Sequence, residues 1–234
     1  MNRFIPRWRM PTTRDMLNIK IGAFLISKRI VFTVWVATLI WGVFLSADFQ
    51  LAPAPAEFTP DLGAASVFPE SVDLEHSHDR PILIMFLHPF CPCSHASLSE
   101  FVNVLAESKH PYQAHILFYV SSKFTQRVED TRLWRQATGA SQVTVHLDTD
   151  GEIARKFGAL TSGSVVVYDT AGRLAFAGGV TRSRGDIGKN LGTDAVSIRL
   201  KGGNHVCALR PVYGCPLMRS SCPNQESVDE TRKR

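Results

Sequence analysis

The globular part of this chain lacks a surplus of positive charge, although the 234 residues together carry a formal net charge of +5. Residues 1–47 contain seven lysines and arginines and one acidic residue, whereas residues 48–234 contain 19 basic and 20 acidic residues. A nucleic-acid-binding protein carries its basic surplus on the folded surface that meets the phosphates. We therefore do not expect a nucleic acid as a partner.

Charged side chains are also absent from residues 30–47, an apolar stretch of 18 residues that includes Trp35 and Trp41. At about 1.5 Å per helical residue, this length is close to the minimum that crosses a hydrocarbon core of about 30 Å. All seven basic residues of the N-terminal region precede the stretch. The positive-inside rule predicts a single-pass helix in the inner (cytoplasmic) membrane, with a cytoplasmic N-terminus and the rest of the chain in the periplasm or an equivalent extracytoplasmic space.

No Leu-x-x-Cys lipid-attachment pattern follows this stretch, because the first cysteine of the chain is Cys91. The long N-terminal leader favours a retained anchor over a cleaved signal. Residues 48–68 contain several prolines without apolar periodicity, which is typical of an extended linker. We expect a basic cytoplasmic arm at 1–29, a transmembrane anchor or signal at 30–47, a linker at 48–68, a folded domain at 69–200 and a cysteine-containing tail at 201–234.

The expected domain contains no internal repeat and alternates two kinds of apolar pattern. Continuous apolar or β-branched runs predict strands at 81–87, 115–120, 143–147, 164–168 and 173–177, with a turn at 169–172 between the last two. Helical patterns occur at 94–107, 126–137, 152–157 and 193–200. Continuous runs suit strands that are buried on both faces, so helices are expected on both sides of one sheet.

The first strand is followed by the segment His88-Pro-Phe-Cys91-Pro-Cys93-Ser94 and then directly by a helical pattern. The first turn of a helix offers unpaired N–H groups and the positive end of the helix dipole, and both favour a thiolate over a thiol. Proline fits the first helical position because its missing N–H costs nothing there. We therefore expect Cys91 to be the cap residue and the more activated thiol of the pair.

At this segment the sequence resembles the thioredoxin-like superfamily, in particular its membrane-tethered extracytoplasmic thiol-disulfide proteins of the TlpA and ResA type (RedB-like). The resemblance covers about residues 69–200. It rests on Phe90-Cys91 between strand and helix, on Asp148-Thr-Asp-Gly151 with Ala154 and Phe157-Gly158, and on the closing hairpin at 165–173.

The resemblance implies an α/β fold, a thioredoxin-like three-layer sandwich with a mixed central sheet, preceded by one N-terminal transmembrane helix. It also implies a thiol-disulfide oxidoreductase that exchanges disulfides with a protein partner and uses no cofactor. Cys91 and Cys93 would be the catalytic residues. The side chains expected to line the site are His88, Pro92, Ser94, Ser162 and Gly163.

Two departures from the family pattern concern the thiol pair and the facing loop. The family motif is Cys-x-x-Cys, whose second cysteine falls on Ser94 here, and the family's cis-proline falls on Gly163. A bridge between Cys91 and Cys93 would close a very small ring, and strained bridges are more easily reduced. The resolving thiol is therefore either Cys93 or a tail cysteine.

The tail contains three cysteines, which are candidates for a resolving thiol or a structural disulfide: Cys207, Cys215 and Cys222. Among them Cys215 ranks first as a resolving thiol, because Tyr213-Gly214 provides a turn that could fold the tail back. Five cysteines is an odd number, so in an oxidising compartment at least one is left free or pairs between molecules.

Two alternative functions remain open at this point. Cys91 and Cys93 with His88 or His95 form a donor set that suits Cu(I), as in copper-binding chaperones of the Sco type, which the chain resembles in its tether and fold. The other alternative is a non-catalytic binding module that has kept only the thioredoxin fold.

Overall fold

The computed structural model describes residues 13–54, 66–75, 77–123, 127–203 and 208–218. The predictions made for Cys207, for Cys222 and for the start of the helix at 126 lie outside the described residues. The chain divides into two compact units, at residues 1–49 and 50–234, and each is described by itself.

The first unit contributes most of one long helix, α1 (Thr13–Leu51). Its segment Lys28–Leu51 is long and apolar enough to cross a membrane. The large side chains of this segment are exposed, among them Trp35, Trp41 and Phe44. A helix that is apolar on all its faces is typical of a membrane span. One N-terminal helix thus fits the predicted single-pass anchor at residues 30–47.

The second unit is built on one six-stranded sheet. Its strands are β1 (Ile82–Leu87), β2 (Gln113–Val120), β3 (Thr144–Thr149), β4 (Ser164–Tyr168), β5 (Leu174–Gly178) and β6 (Ala208–Leu209). Their order across the sheet is β3-β2-β1-β4-β5-β6. The pairs β1–β2, β2–β3 and β5–β6 are parallel, whereas β4 is antiparallel to β1 and to β5. The sheet is therefore mixed, as predicted.

The helices of this unit are α2 (Ser94–Glu107), α3 (Arg132–Thr138), α4 (Glu152–Lys156) and α5 (Leu191–Leu200), and a short 3-10 turn (Val128–Asp130) precedes α3. The predicted helix at 126–137 is thus shorter than expected at its N-terminal end. The reason is Thr131, whose extended backbone interrupts the helix and whose hydroxyl accepts a hydrogen bond from the N–H of Trp134 at 3.2 Å.

The sheet carries a hydrophobic core on each face because successive β1 side chains point to opposite sides. Leu83, Met85 and Leu87 pack in one cluster with side chains of α2, α3 and α5. Ile84 and Phe86, with their neighbour Ile82, pack in the other cluster with Phe157 after α4 and with Tyr168. The predicted three-layer arrangement, with strands buried on both faces, is confirmed. The turn between β1 and α2 follows the carboxyl end of β1, which is an interior strand of the sheet.

Candidate active site

The reactive segment forms a turn between β1 and α2. The N–H of Cys91 donates to the carbonyl of His88, and the N–H of Ser94 donates to the carbonyl of Cys91, both at 3.1 Å. The helix begins at Ser94 and its cap residue is Cys93, so the prediction of Cys91 as the cap was wrong. The physical reason is that these two tight turns use the backbone of Cys91 before the helix starts. Pro92, between the two cysteines, is exposed.

The structure brings a tail cysteine to this turn. The Sγ atoms of Cys91 and Cys215 lie 3.0 Å apart, across 124 positions of sequence. Cys91 is only 3% exposed, whereas Cys93 and Cys215 are half-buried, and all three are thiols without a disulfide bond in the structure. Of the candidates for a resolving thiol, Cys215 therefore lies against Cys91.

Residues 208–218, which we call the C-terminal strap, hold Cys215 in this place. The strap begins with β6 beside β5 and then runs along the loop before β4. The N–H of Ser162 donates to the carbonyl of Cys215 at 2.8 Å, and the N–H of Leu217 donates to the carbonyl of Leu160 at 2.9 Å. The Leu217 side chain is 2% exposed and belongs to the second core cluster. The strap is thus part of the packed unit.

Gly214 permits the closest approach between the strap and the loop before β4. A Cβ atom at this position would lie 1.8 Å from the carbonyl oxygen of Ser162, which is a severe overlap. Only glycine lets the two backbones approach in this way. The residue immediately before Cys215 therefore determines how near that thiol comes to Cys91.

Four of the predicted lining residues are held by hydrogen bonds beside the thiols. The Ser162 hydroxyl accepts from the N–H of His88 at 2.7 Å and lies 2.6 Å from the Ser94 hydroxyl. Gly163 has a positive φ of 92°, and its N–H donates to the carbonyl of Phe86 at 2.8 Å. His88, Ser94, Ser162 and Gly163 are thus brought together at the carboxyl end of β1.

Burial, hydrogen bonds and the charge of Cys91 give the three thiols different pKa values. Burial alone raises the pKa of Cys91, but hydrogen bonds from the side chains of Cys215 and Ser94 and from backbone N–H groups outweigh it, so the net pKa lies below the ordinary value. Burial, together with the hydrogen bond and negative charge of Cys91, raises the pKa of Cys215 to about 12. Burial and the charge of Cys91 also raise the pKa of Cys93. The arrangement favours one thiolate, on Cys91, beside two neutral thiols.

The two histidines near the turn have other partners through their Nδ1 atoms. The N–H of Phe90 donates to Nδ1 of His88 at 3.3 Å, and the His88 ring stacks on Tyr119 with centroids 5.6 Å apart. Nδ1 of His95 lies 2.9 Å from the Gln136 side-chain oxygen. Within the described ranges, no group of three His, Cys, Asp or Glu residues is arranged to hold a metal ion.

Arg184 is a residue of the site that the sequence analysis did not identify. Its guanidinium donates to the carbonyl of Gly214 in the strap, and its positive charge lowers the pKa of the Cys93 thiol. No sequence pattern points to it, because it comes from the loop between β5 and α5, far along the chain from the Cys91 turn.

No family model matches this chain, and no curated protein matches it. Solved structures do match. An uncharacterized conserved protein from Geobacillus kaustophilus is 18% identical, with 74% of this chain and 91% of that chain covered, at a TM-score of 0.51. A hypothetical protein from Sinorhizobium meliloti is 17% identical, with 74% and 93% covered, at a TM-score of 0.47. A secreted disulfide oxidoreductase from Mycobacterium tuberculosis is 16% identical, with 54% and 83% covered, at a TM-score of 0.38.

At these identities the likeness concerns the fold alone. The mixed sheet, with two parallel crossovers through α2 and α3 followed by the antiparallel β4–β5 hairpin and α5, is the thioredoxin-like arrangement. The chain has a thioredoxin-like fold, and the fold that the resemblance implied is confirmed.

Proposed function

We propose that this protein is a membrane-anchored, extracytoplasmic thiol-disulfide oxidoreductase that exchanges disulfides with a protein partner. The observation that carries the proposal is the 3.0 Å separation of the Cys91 and Cys215 sulfurs at the end of a buried strand. A thiolate is the attacking species in disulfide exchange, and a second thiol nearby completes the reaction. Cys91 has the lowered pKa and Cys215 is the neighbouring thiol.

The exchange proceeds in two balanced steps. The Cys91 thiolate attacks one sulfur of the partner's disulfide, which forms a mixed disulfide and releases the first partner thiolate. Cys215 then loses its proton to this thiolate or to solvent and attacks Sγ of Cys91. The product is a Cys91–Cys215 disulfide, and the second partner thiolate leaves, so two electrons have passed to the partner. The reverse sequence oxidises a partner dithiol.

Cys93 is less suited than Cys215 to be the resolving thiol. As the resolving thiol it would close the very small ring with Cys91, whereas Cys215 closes a large ring without that constraint. Cys93 remains within interaction distance of Cys91, since its pKa responds to the charge of Cys91. The proposed assignment is therefore Cys91 as the attacking residue, Cys215 as the resolving residue, and Cys93 as a third thiol of the same site.

The proposed location rests on the helix Lys28–Leu51 and on the basic residues that precede and begin it. The positive-inside rule places the domain outside the cytoplasm, where disulfides form and persist. Protease added to spheroplasts is expected to degrade the domain while the N-terminal arm stays protected. Recovery of the full chain in the soluble cytoplasmic fraction would contradict this placement.

The decisive experiment is a redox titration of the full chain in detergent, followed by mass spectrometry of the cysteine pairs. We expect a two-electron transition with Cys91–Cys215 as the oxidised pair. Cys91→Ser should abolish exchange with a peptide disulfide, and Cys215→Ser should trap the mixed disulfide at Cys91. The double variant Cys207→Ser with Cys222→Ser is the matched control, because it removes two tail thiols and leaves Cys215.

The titration, together with a measurement of Cu(I) binding, separates the alternatives. A Cys91–Cys93 product would move the resolving role to Cys93. Absence of any exchange in a folded protein would leave the non-catalytic binding module as the better description. Retention of Cu(I) in place of exchange would favour the copper-binding chaperone.

A further inference from the structure

The loop that carries Arg184 is joined to the body of the domain at Gly188. The N–H of Gly188 donates to a carboxylate oxygen of Glu100 at 2.9 Å, and Glu100 is a buried residue of α2 with 4% exposure. The backbone at Arg184 is therefore held relative to α2, the helix that follows the reactive turn.

The Arg184 side chain reaches from this loop towards the other two thiols of the site, Cys215 and Cys93. One guanidinium nitrogen donates to the carbonyl of Gly214, which is the residue before Cys215. The positive charge of the same side chain lowers the pKa of the Cys93 thiol, so the guanidinium also acts on that sulfur. A planar guanidinium has five donors in a rigid fork and suits such a bridge better than an ammonium group. Arg184 thus connects the C-terminal strap with the turn at the start of α2.

We propose that Arg184 is a positioning residue for the second step of the exchange, in which Cys215 attacks the mixed disulfide at Cys91. This inference rests on the proposed function, because it assigns a role within that reaction. Cys91 is 3% exposed, so a partner sulfur reaches it only when Cys215 has moved aside. Arg184 holds the peptide group beside Cys215 and so returns this thiol to Cys91.

The positive charge of Arg184 also favours the second step of the exchange. Its guanidinium lowers the pKa of Cys215 and of Cys93, against the larger effects of burial and of the Cys91 charge. In the mixed disulfide Cys91 is neutral, so its charge no longer opposes ionisation of Cys215. The guanidinium then favours the Cys215 thiolate at the moment when that thiolate has to attack.

The test compares Arg184→Met and Arg184→Lys with Arg182→Met in the full chain in detergent. Arg182 is the matched control because it lies on the same loop, is exposed, and pairs with Asp186. Each protein is mixed with a peptide disulfide, quenched with acid at intervals, and analysed by mass spectrometry for the mixed disulfide and for Cys91–Cys215.

We expect Arg184→Met to form the mixed disulfide at least as fast as the unchanged protein but to resolve it about tenfold more slowly, as the loss of one charge-assisted hydrogen bond implies. The pH at which resolution is half-maximal should rise in Arg184→Met. Arg184→Lys should return this pH towards that of the unchanged protein while leaving the rate lower, because it keeps the charge without the fork. Arg182→Met should resolve normally.

Equal resolution rates in the unchanged protein and in Arg184→Met would overturn the inference. So would an equal slowing by Arg182→Met, since the effect would then belong to the loop as a whole. If Arg184→Met does not fold, as judged by circular dichroism, the rate and pH profile of Arg184→Lys decide the question alone. Failure of the unchanged protein to form Cys91–Cys215 would instead contradict the proposed function, so the two failures are distinguishable.

Discussion

The substitution Gly214→Ala tests whether the C-terminal strap controls access to Cys91. The added Cβ would lie 1.8 Å from the carbonyl oxygen of Ser162, against an ordinary contact of 3.4 Å or more, so one backbone has to move. Both backbones are hydrogen-bonded here, because the N–H of Ser162 donates to the carbonyl of Cys215 and the carbonyl of Gly214 accepts from Arg184. The strap is the element that yields, because its partner, the loop before β4, is continuous with a central strand.

The expected magnitude follows from the contacts of the strap. Overpacking of this kind costs about 1–3 kcal/mol, and the 2.8 Å hydrogen bond between Ser162 and Cys215 contributes about 1 kcal/mol that would be weakened. A bias of about 2 kcal/mol towards the open strap raises the open population about thirtyfold. Because Cys91 is 3% exposed when the strap is closed, its alkylation should accelerate by a similar factor.

The assay is the rate of iodoacetamide alkylation of Cys91 in the reduced full chain, followed by mass spectrometry with each cysteine scored separately. Gly139→Ala is the control, because its φ is ordinary and a Cβ there meets only backbone of its own helix end, at 3.2 Å. We expect no change in Cys91 alkylation for the control. Equal alkylation of Cys91 in Gly214→Ala and in the unchanged protein would refute the reasoning that the strap covers this thiol.

Three further predictions concern acidity, stability and metal binding. Alkylation of Cys91 should be half-maximal below the ordinary thiol pKa of about 8.5. Cys215→Ala should move that midpoint to higher pH, because it removes the side-chain hydrogen bond to the Cys91 thiolate. Asp148→Ala should lower the free energy of unfolding by about 1–2 kcal/mol, because the Asp148 carboxylate accepts hydrogen bonds from two N–H groups at the start of α4, at 2.8 and 2.9 Å. The measurement is urea denaturation, and an unchanged midpoint would contradict this role. Reduced protein given one equivalent of Cu(I) against a competing chelator should bind the metal no more tightly than a generic dithiol. Alanine at His88 or His95 should leave disulfide exchange measurable. Tight stoichiometric retention of Cu(I) that either substitution abolishes would favour the copper-binding chaperone over the oxidoreductase.

Local sequence patterns were sufficient for the elements that are stabilised by their own residues. The strand at 164–168 was predicted with its observed bounds because a β-branched run ends at a turn whose Asp169 accepts from the N–H groups of Ala171 and Arg173. The helix at 94–107 also has its predicted bounds, since its apolar face recurs every three to four residues. In both cases the residues that form the element also determine where it ends.

The position of the C-terminal strap could not be predicted from sequence patterns. Its strand β6 has two residues, too few for any periodicity, and the backbone hydrogen bonds of Cys215 and Leu217 go to residues more than 50 positions earlier. Tyr213-Gly214 indicated a turn near Cys215, but the destination of that turn depends on tertiary packing of Leu217. Arg184 was missed for the same reason, because its partners come from two distant segments.

On the proposed function, closure of the strap and release of the partner are one event. We expect the mixed disulfide to form with the strap displaced, because Cys91 is only 3% exposed while Cys215 lies against it. Attack by Cys215 expels the partner and at the same time restores the Ser162 hydrogen bond, the Leu160 hydrogen bond and the burial of Leu217. Two backbone hydrogen bonds at about 1 kcal/mol each and one leucine side chain at about 2 kcal/mol amount to about 4 kcal/mol. This free energy favours the resolved state, whichever way electrons then flow, so the strap prevents the partner from remaining trapped on Cys91.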